Sequence, residues 1–269
     1  MPELPEVEAV AQSLRPLVCG RKIRRCEVVH KIAVRPQKPA TLSAGVAGRR
    51  IVDVERRGKY LWLRLERGVM VMHFRLDGQL VWFDEGRMNG HVDVALHFER
   101  GTLGFVDRRH FGRVNFFEAP QEQRGIARLG VEPLERTFTC ERLTRMLRES
   151  QRPVKLFLMD QGRIAGLGNI YSNEALWRAR LDPRRKTHRL KEAETRRLHK
   201  GIVDVLRRAL ECCLEPAPNF RDPEWRFQGL EKMLGVYGRE GKGCRRCGER
   251  IRRIEQGARS SYFCPGCQD

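Results

Sequence analysis

Four cysteines near the end of the chain, Cys244, Cys247, Cys264 and Cys267, form a C-x2-C-x16-C-x2-C array. This spacing brings two pairs of thiolates, each on a tight turn, around one tetrahedral zinc. All four ligands are sulfur, so no coordination position stays open and the metal is expected to be structural. A ribbon of about 30 residues is too small to fold without such a staple. Two disulfides are the competing reading. The other five of the nine cysteines, Cys19, Cys26, Cys140, Cys212 and Cys213, are scattered and read as small core residues in a reducing compartment.

The rest of the chain changes period once. Residues 5–18 form an apolar stripe at helical spacing, with Pro5 in the first turn. Short candidate strands follow at 51–55, 59–65, 69–74, 79–83, 92–98, 102–106 and 113–117. In the second of these, Leu61, Leu63 and Leu65 alternate with Tyr60, Trp62 and Arg64. Many short strands joined by glycine-bearing turns suggest a sandwich or barrel. Beyond 119 the pattern becomes helical, near 140–149, 153–160, 169–179 and 190–214, and residues 216–229 are proline-rich and irregular.

A chain of 269 residues has room for about two domains. Its 53 Lys and Arg against 34 Asp and Glu give a net charge of +19. The excess peaks in residues 49–59, 184–200 and 239–259. One such run is commonly a solvated helix face; three point to a polyanion, with binding that weakens steeply in salt. At 41% hydrophobic the chain is not disordered. It lacks an apolar run of the roughly 18 residues that span a bilayer, and its acidic start does not read as a signal peptide.

That start, MPELPEVEAV, carries the chemistry. Removal of Met1 would leave Pro2 as a secondary amine, a nucleophile that converts an aldehyde carbon to an iminium. Glu3 and Glu6 sit beside it at i, i+3. Carboxylates also suit a helix N-terminus, which is their plain structural explanation.

PELPEVE, RRGKYL at 56–61, MDQGRIAGLGNIYSNE at 159–174 and the four-cysteine ribbon, in this order, resemble the formamidopyrimidine-DNA glycosylase family nearly end to end. The resemblance implies an α+β protein. It would comprise an N-terminal β-sandwich with a leading helix (1–118), a linker (119–130), a helical helix–two-turns–helix domain (131–235) and a zinc ribbon (236–269). It also implies a base-excision-repair enzyme that flips an oxidised purine out of double-stranded DNA, removes it, and cleaves the strand as an abasic-site lyase by β,δ-elimination. Pro2 would attack C1′, Glu3 would serve as acid and base, and Glu6 would support them. Lys59 and Lys155 would reach the site and its phosphates. Leu76, Arg109 and Phe111 would fill the gap left by the flipped base. Gly166, Gly168 and Asn169, opening a helix, would hold phosphate, as would Arg259 at the ribbon tip. The implied cofactor is one structural zinc without a redox group. The implied setting is a bacterial cytoplasmic monomer that associates with the nucleoid through DNA and not with a membrane.

Two departures from the family pattern bear on lesion preference. The family's D-P-R-R-F-G is here DRRHFG at 107–112. The Gly-Gly-Ser/Thr loop that many members close over 8-oxoguanine is replaced by EPAPNFRDPEWRFQGLEKM at 215–233. Ring-opened purines, or another lesion, therefore rank ahead of 8-oxoguanine as the expected substrate. The rival readings are an endonuclease VIII-like glycosylase for oxidised pyrimidines, a non-catalytic binder of damaged DNA on the same scaffold, and a zinc-ribbon transcription module. The last leaves the acid-flanked proline unexplained.

Overall fold

The computed structural model describes residues 2–84, 88, 90–119 and 122–269. Met1, and with it the expected methionine removal, lies outside the described residues, as do Pro120 and Gln121 of the expected linker. The chain packs into two compact units: residues 1–127 with 213–227, and residues 128–212 with 228–269. The zinc ribbon thus belongs to the same unit as the helices. The proline-rich stretch after the longest helix belongs with the strands.

The first unit is a sandwich of two four-stranded antiparallel sheets. One, in the order β1-β6-β7-β5, comprises Arg25–Val28, Val92–His97, Thr102–Val106 and Gln79–Phe83. The other, β2-β3-β4-β8, comprises Ile51–Arg57, Tyr60–Leu65, Val69–His73 and Arg113–Phe117. Seven of these eight strands fall on the expected segments. The alternation in β3 places Leu61, Leu63 and Leu65 inward, as a pleated strand requires. They meet Leu96, Leu103 and Phe105 of the facing sheet and Val7, Leu14 and Val18 of helix α1 (Leu4–Val18) in one core. Each such side chain, fully buried, contributes about 1.5–3 kcal/mol. β4 is apolar on both faces because a second small cluster, built with Ile126, covers its outer side.

Strand β1 and helix α2 (Pro39–Val46) were not expected from the sequence. β1, RCEV, carries charge at two of its four positions, and α2 holds only three buried residues, so neither has a strong period.

The second unit holds α3 (Cys140–Arg148), α4 (Val154–Leu158), α5 (Asn169–Ala179) and α6 (Glu192–Leu214). Its hairpin, β9 (Arg252–Gln256) and β10 (Arg259–Phe263), turns through Gly257 and Ala258, both at positive φ, the tight two-residue connection that suits strand twist. Among the described residues no helix is long and apolar enough to cross a membrane. The expectation that all five scattered cysteines are core residues holds for Cys26 and Cys213. Cys19, Cys140 and Cys212 are only half-buried, because each lies at a helix end or on a helix flank.

Candidate functional site

Pro2 lies just ahead of α1. Glu3 is the N-cap of that helix, and Glu6 reaches back to accept the Glu3 N–H at 2.9 Å, closing a capping box. Both carboxylates are buried, Glu3 to 1% exposure, whereas Pro2 is half-exposed. The box fixes the Pro2–Glu3 peptide on a rigid helix end and so limits where the Pro2 nitrogen can go. Pro2 also lines a cleft of about 390 Å3 together with Leu76, Phe74, Trp225 and Phe227. Pro2 and Leu76, both expected site residues, thus line one cleft with Trp225 and Phe227, which the sequence did not single out. These two aromatic residues come from the irregular 216–229 stretch, which is tied to the sheet. Gln79 donates to the Pro223 carbonyl (2.8 Å) and accepts from Arg226 (2.8 Å), the Trp82 N–H reaches the Phe220 carbonyl (2.6 Å), and Arg221 pairs with Asp84 (2.9 Å). Trp225 and Phe227 meet edge to face at 4.8 Å. Arg108, where the family pattern has proline, pairs with Glu224 of the same stretch at 3.0 Å.

Lys59 sits in the two-residue turn between β2 and β3, where Gly58 takes φ 58°, a conformation glycine reaches without strain. The turn is braced from α1: the largely buried Arg56 guanidinium pairs with Glu8 at 2.7 Å and donates to the Gly58 carbonyl at 3.1 Å. Sequence reasoning missed Arg56 and Glu8. Their only signal was an arginine inside an otherwise alternating strand.

Arg109 and Phe111 are brought together, with the guanidinium 4.9 Å from the ring centroid. Their turn is built by buried Asp107, whose two oxygens accept the N–H groups of Arg109 (2.9 Å) and Gly112 (2.6 Å). Phe111, 46% exposed, is one of three large apolar side chains displayed to solvent among the described residues. Arg109 also approaches Asp77, next to Leu76, at 3.5 Å.

His73, packed edge-on against Tyr60, accepts the Arg75 N–H at 3.0 Å. Burial, reinforced by the charges of Arg75 and Lys59, pushes its pKa down to about 3. The folded state therefore binds fewer protons here than the unfolded chain, whose histidine titrates near 6.5. Stability is fully present above 6.5 and is lost as pH falls toward 3, at about 1.4 kcal/mol per unit. His73→Gln should remove that slope between pH 6.5 and 5 in denaturant titrations. An unchanged slope would mean that another group carries it.

In the helical unit, buried Lys155 donates to the Ser260 carbonyl (2.8 Å) and the Ser261 hydroxyl (2.7 Å) of the ribbon hairpin. The lysine expected to reach the reaction site is instead fully buried and ties α4 to the ribbon hairpin. Gly168 is the N-cap of α5 and Asn169 its first residue. Gln161 staples the preceding turn, accepting the Gly166 N–H (3.0 Å) and donating to the Leu167 carbonyl (2.6 Å). Asn173 accepts the Tyr262 N–H at 2.8 Å, linking α5 to the hairpin that displays exposed Arg259. Glu174, fully buried, accepts three successive N–H groups, from Gly235, Val236 and Tyr237, at 2.8–2.9 Å. Burial pushes its carboxyl up, and the three donors hold it back. Gly235 is needed here, because a Cβ would stand 2.4 Å from the Trp177 ring.

The sulfurs of Cys244, Cys247, Cys264 and Cys267 all lie within 4.8 Å of one another, and three of the pairs are 3.2–3.9 Å apart. That is too far for disulfides. It suits tetrahedral zinc, whose bonds of about 2.3 Å place thiolates roughly 3.8 Å apart. The Arg246 N–H points at the Cys244 sulfur at 3.4 Å, a contact that favours the thiolate form. The four cysteines form a structural zinc site.

Residues 1–114 match the family described as Formamidopyrimidine-DNA glycosylase N-terminal domain. Residues 129–215 match the corresponding H2TH domain, and 241–269 the zinc finger found in FPG and IleRS. The formamidopyrimidine-DNA glycosylases of Pelotomaculum thermopropionicum and Thermus thermophilus are each 40% identical, over all of this chain and 99% and 98% of theirs. A Lactococcus lactis Fpg in complex with a THF-DNA and an inhibitor superposes with a TM-score of 0.90 at 30% identity, with both chains covered completely. The same protein bound non-covalently to DNA containing an AP site gives 0.88 at 30% identity over 99% of each chain. By sequence and by fold, this chain belongs to the formamidopyrimidine-DNA glycosylase family.

Proposed function

We propose that this chain is a base-excision-repair glycosylase and abasic-site lyase that removes oxidised purines, with formamidopyrimidines as its preferred lesions. The observation that supports it most is that Pro2, braced by the Glu3–Glu6 box, lines the same cleft as Leu76. Lesion-bearing DNA is the partner of the L. lactis relative, whose structures include a complex with Fapy-dG-containing DNA. A net charge of +19 suits the same polyanion here.

In this reading Pro2, once Met1 is removed, attacks C1′ through its nitrogen lone pair. The C1′–N bond to the base breaks, and the departing base takes a proton from an acid. Glu3, buried and fixed by its cap position, is that acid. It then works as base and acid while the sugar ring opens to the iminium. The positive iminium acidifies the C2′ proton. Its removal expels the 3′-phosphate (β-elimination), and a second elimination expels the 5′-phosphate. Each step breaks one C–O bond and leaves its electron pair on phosphate. Glu6 holds the Pro2–Glu3 peptide. Lys59, Gly168, Asn169 and Arg259 hold phosphates, Lys155 supports from beneath the hairpin that carries Arg259, and Leu76, Arg109 and Phe111 occupy the gap in the stack. Segments 1–118, 131–235 and 236–269, joined by 119–130, are in this reading the catalytic, helical and ribbon parts of a bacterial cytoplasmic enzyme acting as a monomer.

Trp225 and Phe227 line the cleft, and they come from the stretch that stands in place of the Gly-Gly-Ser/Thr loop many relatives close over 8-oxoguanine; that replacement supports ring-opened purines ahead of 8-oxoguanine. Excision from matched duplexes carrying formamidopyrimidine, 8-oxoguanine or thymine glycol tests this. The expected order is formamidopyrimidine first. Thymine glycol in first place would establish the endonuclease VIII-like alternative, and cleavage of none would leave a damage-binding protein. Glu3→Gln should slow base excision by about 10²–10⁴-fold and leave DNA affinity near wild type; wild-type excision would remove Glu3 from the mechanism.

A further inference from the structure

A second cluster of metal-binding side chains lies in the sandwich unit, apart from the cysteine ribbon. His30 precedes the 3-10 turn Lys31–Val34, Asp93 lies on β6, and His110 lies in the turn between β7 and β8. The ligand atoms of the three residues all lie within 4.8 Å of one another. His110 Nδ1 is 2.6 Å from one oxygen of Asp93, and the two imidazole rings stand 4.7 Å apart, tilted by 54°.

The carboxylate is the informative member. Asp93 is fully buried, and its second oxygen, Oδ2, has no hydrogen-bond partner. A buried carboxylate oxygen without a donor is costly, and native proteins seldom leave one uncompensated. Burial accordingly pushes the Asp93 carboxyl up, against the pull of His110 and His30. The backbone is already committed to this arrangement. The Asp93 carbonyl accepts the N–H groups of both Val29 (2.9 Å) and His30 (3.1 Å), which pins the 3-10 turn to β6. His110 takes φ 54°, an uncommon conformation for a residue with a Cβ, and this holds its ring over Asp93. Arg113, a neighbouring cation that feels the Asp93 charge, has its Nη1 on the carbonyls of His110, Phe111 and Gly112. Asp107, the other nearby carboxylate, is committed to the turn N–H groups.

We infer that His30, Asp93 and His110 form a second metal site, selective for a borderline divalent ion such as Zn2+, Co2+ or Ni2+. Two imidazoles and one carboxylate are the donor set such ions prefer, whereas Mg2+ and Ca2+ require oxygen donors. Exposed His30 can swing the remaining distance, since ligand nitrogens on one such ion lie about 3.3 Å apart. The ion replaces the proton held between Asp93 and His110, and that proton leaves to solvent. His110 lies between Arg109 and Phe111, so an occupied site ties the turn that displays both of them to β6 and to the 3-10 turn.

The test adds Co2+ to the zinc-loaded full-length protein and follows visible absorption and calorimetric heat. One further equivalent should bind, with d–d bands of nitrogen and oxygen ligation and no thiolate charge-transfer band in the near ultraviolet. His30→Gln, a change at an exposed position that leaves the fold intact, should weaken this binding by at least the 10- to 100-fold that loss of even an outer-shell partner costs. His110→Asn, which tolerates positive φ, should do the same. Absence of a second equivalent, a thiolate charge-transfer band, or unchanged affinity in both variants would each overturn the assignment.

Discussion

A chain that keeps Met1 ahead of Pro2 gives no borohydride-trapped adduct with abasic-site DNA and loses strand cleavage by at least about 10³-fold, the scale on which removal of a covalent nucleophile acts. The reason is electronic. With Met1 attached, the Pro2 nitrogen is a tertiary amide whose lone pair is delocalised into the carbonyl. It cannot attack C1′, however well the Glu3–Glu6 box places it. Pro2→Gly is the milder change. It restores an amine, but a primary one, whose adduct can shed a proton and become a neutral imine, a poorer electron sink than the obligatory cation formed by a secondary amine. Trapping by Pro2→Gly should therefore be weakened and not lost. The capping box itself survives in both variants, because it uses only the backbone N–H groups and side chains of Glu3 and Glu6. Circular dichroism and thermal melting should match wild type. Intact mass after trapping checks the outcome: an adduct on the Met1-retaining chain would place the nucleophile elsewhere and refute the role of Pro2.

The parts of this molecule that could be read from sequence are those in which a single short-range pattern decides the outcome. Period-2 alternation determined β3, and the i, i+3 spacing of Glu3 and Glu6 put both carboxylates on one side of the first helical turn. The cysteine spacing alone was enough for the ribbon, because tetrahedral ligation leaves so little freedom. What stayed hidden depends on interactions between residues far apart in the chain. Arg56 braces the Lys59 turn only because Glu8, 48 residues earlier, arrives on the packed face of α1. Glu174 reads as one more charge in a basic helical stretch until residues 235–237 present three N–H groups to it. The 216–229 stretch has no period at all, yet it lines the cleft through Trp225 and Phe227, because Gln79, Asp84 and Arg108 hold it in place. The resemblance to known enzymes supplied roles at matching positions, and this stretch is where the match failed. The proposed lesion preference rests on the same stretch, and the excision panel measures it.

Replacing Cys264 with serine should release the zinc and lower DNA affinity by about 10- to 100-fold, without changing the chemistry at Pro2. The effect starts at the metal and spreads outward. Apparent zinc-binding free energies of roughly 10–16 kcal/mol in such small domains are also their folding free energies, so the ribbon cannot remain folded on three thiolates. Its own core is small: Val236, Cys244, Ile251 and Cys264, with Trp177 and Tyr262 packed against them. Unfolding removes the tight turn that presents Arg259 and disperses the tail cations, so fewer phosphates are neutralised together. The slope of log affinity against log salt should become shallower by about 0.9 for each phosphate that is no longer neutralised. The damage also reaches the helices. Lys155, fully buried, loses two acceptors when Ser260 and Ser261 leave, and Glu174 loses the ordered N–H groups of 235–237 that offset its burial. Stripping one partner from a buried charged group costs at least about 1–3 kcal/mol, so the melting temperature of the helical unit should fall together with the zinc content. The sandwich unit, which holds Pro2, has its own core and keeps it. At saturating abasic-site DNA, borohydride should therefore still trap Cys264→Ser. Wild-type affinity in a protein shown to be zinc-free would separate the ribbon from DNA binding altogether.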